Sequence, residues 1–182
     1  MKKYFLIILL CAVILVTGCS SSSSEEGGNG GSGDSKDSVY ELHYYDNDFK
    51  HTEEVEARYD KDGNFKYLAM WLVWTEKTSC DGWEDSIKEV VDLTYPGVKA
   101  SCTVTDKGVK ALWSMTDESV KAGYLDGDSE NWRFNLEYVY PYFKTEKDAN
   151  DYVEKSIESF KEEGIKPDDQ NYVVVKGEKV SW

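Results

Sequence analysis

The stretch "EEVEARYDKDGNFKYLAMWLVWT" (Glu53–Thr75) constrains the fold more than any other. Two strand-like runs flank the turn cluster Asp60–Asn64, which is the signature of a β-hairpin. The first run, Glu53–Asp60, alternates polar and apolar residues, so one face is set to be buried. The second, Phe65–Thr75, is apolar on both faces from Leu68 to Trp74 and reads as a central strand covered on both sides. A third alternating run, Val39–Asp46, precedes them.

Beyond Thr75 the period changes. Trp83, Ile87, Val90 and Val91 recur at helical spacing, with Asp81 placed as N-cap and Pro96-Gly97 as the stop. Val98–Met115 reads as a second hairpin around Asp106-Lys107-Gly108, and Thr116–Gly123 as a short helix. In Trp132–Phe143, Trp132, Phe134, Leu136, Tyr138, Tyr140 and Tyr142 fall at every second position, which predicts a strand that leaves the sheet at Pro141. Thr145 and Asp148 form a capping box for a helix striped by Ala149, Tyr152, Val153, Ile157 and Phe160. Gly164 closes that helix, and Asn171–Val175 is a last strand. The expected fold is α+β, an antiparallel sheet with two main helices packed on one face.

The N-terminus is organised differently. Lys2 and Lys3 precede an apolar run of about 13 residues, shorter than the ~20 that span hydrocarbon as a helix. Val16-Thr17-Gly18-Cys19 follows. This layout resembles the signal peptide and lipobox of bacterial lipoproteins. The resemblance implies cleavage before Cys19, diacylglycerol (palmitate-type chains) on its sulfur, and a domain held outside the cytoplasm at the cell membrane or envelope. Two acyl chains make such an anchor stable, where one is marginal. Ser20–Asp37 is Ser, Gly and acid with almost nothing apolar, a disordered leash with a reach of roughly 20–25 Å. The organisation is thus 1–18 signal peptide, 19–37 lipidated cysteine and linker, and 38–182 one globular domain.

The lipobox, the linker, the helix running into "YPGVKASCTVTDKGV" and the late helix "TEKDANDYVEKSIESFKEEGIK" resemble small YehR-like bacterial lipoproteins. That resemblance implies the fold and an envelope location. It implies no catalytic residues, and Cys80 and Cys102 are not part of its pattern.

The chain carries 21 basic and 35 acidic residues, net −14, and loss of Lys2 and Lys3 with the leader makes it −16. Nucleic acid is excluded as a partner by this balance, because it needs a basic footprint. Of four cysteines, Cys11 leaves with the leader and Cys19 is the lipid attachment. Cys80 and Cys102 remain as an expected disulfide, in a compartment where disulfides persist.

No nucleophile motif, phosphate loop or metal-ligand spacing is present, so no catalytic residue, no metal and no cofactor is expected. His43 and His51 read as surface or strand-end histidines. The acids read as scattered solvated faces. Asp60, Asp62 and Asn64 fail as a calcium loop, since positions six and twelve are Phe65 and Trp71. Counted from Asp126, position six is Asn131 and Glu137 at position twelve lies in a strand pattern, so Asp126–Asn131 reads as a polar loop.

The aromatics are many, with 6 Trp and 13 Tyr. Most read as core, while Trp74 and Tyr142, at strand ends, are the candidate ligand contacts. The expected function is a membrane-anchored envelope protein, a non-catalytic binding or accessory module whose partner is an unknown small ligand or envelope protein. The alternatives are an aromatic-lined binding protein for sugar, peptide or cationic ligand, and a small carboxylate-based hydrolase.

Overall fold

The computed structural model describes residues 37–48, 50–81, 95–125 and 136–182. The strands are β1 (Ser38–Asp46), β2 (His51–Tyr59), β3 (Phe65–Trp74), β4 (Lys99–Thr105), β5 (Gly108–Thr116), β6 (Tyr172–Val175) and β7 (Glu178–Val180). The helices are α1 (Asp117–Lys121), α2 (Leu136–Val139) and α3 (Glu146–Glu163), with a 3-10 turn at Tyr140–Tyr142. All strands join one antiparallel sheet in the order β4-β5-β3-β2-β1-β6-β7. The chain is therefore mixed α+β with the sheet dominant. The helix expected over Trp83–Val91, the signal peptide and the leash up to residue 36 lie outside the described residues.

Register sorts the side chains onto two faces. Ala100, Trp113, Met70, Val55, Leu42 and Val173 form one cross-sheet row. Neighbouring rows add Leu68, Met115, Ala57 and Tyr40, all buried in one cluster with Leu136, Val139, Phe143, Ala149, Val153 and Phe160. Each of the buried Leu, Val, Met and Phe side chains is worth about 1.5–3 kcal/mol of burial. α3 lies along β1 and β6. Its Phe160 stacks on Tyr44 at 5.6 Å, and the Tyr59 hydroxyl donates to the Phe143 carbonyl at 2.7 Å.

The local signals explain most elements. Asp60 Oδ1 accepts from the Asp62 and Asn64 amides, both at 2.9 Å, and closes the β2–β3 turn. The Asp148 amide donates to Thr145 Oγ1 at 3.1 Å while the Thr145 amide donates to Asp148 Oδ2 at 3.0 Å, which is the expected capping box. Gly164 has φ 72° and ends α3.

The strand expected over Trp132–Phe143 does not form over 136–143, of which 136–142 are helical and Phe143 is the cap that follows. Leu136, Val139 and Phe143 are buried at helical spacing, whereas Tyr138 is 57% exposed. The tyrosines at every second position imitated a strand. Pro141, lacking an amide donor, sits instead in the first turn of the 3-10 segment.

Candidate functional site

Of the residues singled out by sequence, Cys19 lies outside the described residues. Cys80 and Cys102 lie at disulfide distance, with Sγ atoms 2.16 Å and Cα atoms 5.9 Å apart. The bond ties the chain leaving β3 to the midpoint of β4. Trp74 ends β3, half-buried, with the Lys77 ammonium 4.6 Å over its ring and His51 6.0 Å away. Tyr142 is half-buried in the 3-10 turn rather than at a strand end, and its ring lies 5.4 Å from Tyr152.

Beside Trp74 the core face becomes polar. His51, opposite Asp46 and Trp74 in the register, is 6% exposed, and its Nε2 lies 3.1 Å from Glu53 Oε1, itself on a residue 8% exposed. Asp46 is also buried. Burial, then the charges of Asp46, Glu163 and Glu53, push the Tyr44 phenol up to about 12. Burial, then Glu53 and Tyr142, do the same for Tyr152. Trp74 therefore lies beside the buried His51–Glu53 pair, while Tyr142 packs on Tyr152, whose phenol Glu53 influences. The reading of the acids as solvated faces is corrected for Asp46 and Glu53, while His51 stands at a strand end as expected but is buried rather than on the surface. The strand alternation of β2 points both odd-numbered side chains inward.

The opposite face carries a second cluster, which sequence reasoning missed. The register aligns Tyr172, His43, Glu54, Trp71, Leu112 and Ser101 in one row across β6, β1, β2, β3, β5 and β4. The His43 ring stacks on Tyr172 at 3.9 Å. Its Nε2 lies 3.3 Å from Glu41 Oε2 and its Nδ1 3.7 Å from Glu54 Oε1. The Lys110 ammonium donates to Glu54 Oε2 at 3.0 Å and sits 4.9 Å from the centre of the Trp71 ring. Lys179 caps Tyr172 at 3.8 Å, and Arg58, paired with Glu56, caps Tyr67 at 5.3 Å.

These contacts set the protonation states. Burial lowers His43, but the hydrogen bonds to Glu41 and Glu54 outweigh it and hold it above its ordinary value. Burial raises Glu54, but His43 and Lys110 outweigh that and hold it below the usual carboxylate range. Among the described residues, no three His, Cys, Asp or Glu side chains are placed to hold a metal ion. The face can hold ammonium or guanidinium groups on aromatic rings beside carboxylates, as the chain's own lysines and arginine do. The signal that could have found it was His43, Glu54 and Trp71 each falling on the polar-facing phase of its strand.

Comparison with known proteins finds no matching family model, no matching curated protein and no matching solved structure.

Proposed function

We propose that this chain is a YehR-like envelope lipoprotein, held to the membrane through lipid on Cys19, whose domain is a non-catalytic binding module for cationic ligands. In this reading α3 and the helix expected over Trp83–Val91 cover one face of the sheet. The other face, carrying Tyr67, Trp71 and Tyr172, is the binding surface. The arrangement of Lys110 supports it: one ammonium is shared between the Glu54 carboxylate and the Trp71 ring. A ligand amine takes the same two partners by displacing Lys110. An indole–ammonium contact contributes about 0.5–2 kcal/mol depending on desolvation. The strongly acidic chain adds a long-range attraction that salt screens.

Calorimetry and tryptophan fluorescence with spermidine, a lysine-rich peptide, a neutral oligosaccharide and a polyanion test this. Spermidine and the peptide are expected to bind, more weakly as salt rises, and Trp71→Leu or Glu54→Gln to weaken them by about tenfold. Preference for the polyanion, or cation binding unchanged by both variants, overturns the reading.

The buried His51–Glu53 pair favours a second reading, hydrolysis with His51 as general base oriented by Glu53. Turnover of ester, peptide or glycoside substrates that is lost in Glu53→Gln would establish it in place of the first.

A further inference from the structure

The Glu54 carboxylate is shared between two cationic groups. Its Oε1 faces His43 Nδ1 at 3.7 Å, and its Oε2 accepts from the Lys110 ammonium at 3.0 Å. His43 opposes Glu54 in the β1–β2 register, and Trp71 opposes it from β3. The other imidazole nitrogen, Nε2, lies 3.3 Å from Glu41 Oε2. Both ring nitrogens therefore face carboxylate oxygens. A neutral imidazole donates through one nitrogen only, whereas imidazolium donates through both. The arrangement fits the charged ring, and the stack on Tyr172 at 3.9 Å fixes its plane. The Lys110 and Glu54 side chains are 33% and 19% exposed, so the carboxylate that His43 faces is open to solvent on its lysine side.

We infer that His43 is a proton switch on this face: the charged imidazole opposes cation binding at Trp71 and Glu54, and the neutral imidazole permits it. The inference rests on the reading of that face as a cation site. A ligand cation that displaces Lys110 takes Glu54 Oε2 and the Trp71 ring. With His43 charged, Glu54 is already paired through Oε1, and the ligand meets a like charge one carboxylate away. With the proton gone, Glu54 keeps a single cationic partner, the one the ligand replaces. The groups around the imidazole are Glu41 and Tyr45 on its own strand and Glu54 on β2, with Glu56 and Arg58 further along that face. Lys110 of β5 stands behind Glu54, and Tyr172 of β6 lies under Lys179 of β7. Burial, then Glu41 and Glu54, push the Tyr172 phenol up to about 12. Against the pull of burial, Glu41 and Glu54 hold His43 above its ordinary 6.5. The imidazole is therefore the group of this set poised to titrate near neutrality. Linkage demands the converse effect: a bound cation weakens the hold of His43 on its proton and expels it to solvent.

Calorimetry of the full chain in non-ionic detergent tests it, with an acetylated and amidated tetra-arginine peptide whose charge is constant over the range. The peptide is expected to bind at least about fivefold more tightly at about pH 9 than at about pH 6. Near the midpoint, buffers of unlike ionisation enthalpy should show a proton released on binding. His43→Gln should bind alike at both pH values and release none, although His51 remains. Glu41→Gln keeps His43 but removes a carboxylate that holds its proton, so the midpoint of the pH dependence should move to lower pH. Circular dichroism at both pH values checks that each variant is folded. Absence of binding at every pH overturns the cation-site reading and this inference with it. Binding that Trp71→Leu weakens, but that acidification leaves unchanged, overturns the switch alone. So does a pH dependence that persists in His43→Gln, or a midpoint that Glu41→Gln does not move.

Discussion

The Lys110 ammonium sits 4.9 Å from the centre of the Trp71 ring, on a neighbouring strand of the same sheet face. The same ammonium lies 3.0 Å from Glu54. Lys110, Trp71 and Glu54 belong to β5, β3 and β2, which the register brings side by side. Three strands are therefore cross-linked by one side chain.

A double-mutant cycle between Lys110→Met and Trp71→Leu isolates the ring contact from the ion pair. The coupling free energy is expected at about 0.5–1 kcal/mol, since the lysine remains partly solvated. Denaturant unfolding of the four proteins measures it. Zero coupling would mean that the ammonium is held by Glu54 alone and that the ring is only a neighbour.

The disulfide should act chiefly on the unfolded chain. Cys80 and Cys102 are 22 residues apart. Closing a loop of that size removes unfolded-state entropy worth about 3 kcal/mol. Cys80→Ser with Cys102→Ser is expected to lose that amount in urea unfolding and to become insensitive to dithiothreitol. An unchanged midpoint in the double variant would show that the bond constrains little.

Gly108 is expected to be irreplaceable for a reason outside its own turn. Its φ is 118°, and a Cβ placed there would stand 2.1 Å from the Trp74 carbonyl oxygen and 2.8 Å from the Thr75 Cα. The obstacle is backbone and cannot swing aside. Gly108→Ala combines an unfavourable backbone conformation with that clash and is expected to cost more than about 2 kcal/mol. Gly164→Ala is the control, since it has positive φ but nothing within 4 Å. A similar loss in both would mean that the close approach of the β3 exit does not matter.

Elements whose cause is local could be read from the sequence. The β2–β3 turn rests on the Asp60 carboxylate, and α3 on Thr145 and Asp148, which are neighbours in the chain. The 136–143 segment could not be read in the same way, because its tyrosines sit at every second position whether or not they are buried. β7 escaped notice because its turn uses Lys176 at φ 52° before Gly177, and lysine is no signal for that conformation. The polar row could be read only in parts. The phase of each strand showed which residues share a face, but His43 meets Tyr172 only because β6 returns beside β1. The burial of His51 and Glu53 likewise depends on what covers the end of β2, which strand alternation does not specify.

The anchor assignment rests on Val16–Cys19, and its test is chemical. Cys19→Ala is expected to abolish incorporation of labelled palmitate and to block removal of the leader. Persistent labelling in the variant would move the lipid to another residue and remove the basis for an envelope tether at Cys19.

The stability of the domain should have a pH dependence traceable to His43. The groups facing the imidazole are Glu41 on its own strand, Glu54 on β2 with Lys110 of β5 behind it, and Tyr172 on β6 under Lys179 of β7. A histidine held above its ordinary 6.5 binds its proton more tightly in the folded protein than in the unfolded one. Its contribution is complete below 6.5 and is lost as pH rises through the folded value. Glu54, held below its ordinary 4.5, runs the other way, complete above 4.5 and lost as pH falls through its lowered folded value. The two contributions overlap between 4.5 and 6.5. Urea midpoints are therefore expected to be highest in that window and to fall on the alkaline side in the wild type. In His43→Gln the alkaline decline should shrink, because the titrating group is gone while the Glu54–Lys110 contact stays. Tyr172→Phe should leave the decline in place, since the stack keeps its ring. A wild-type midpoint that rises from about pH 6 to 9, or a decline that His43→Gln leaves unchanged, would remove His43 as its source.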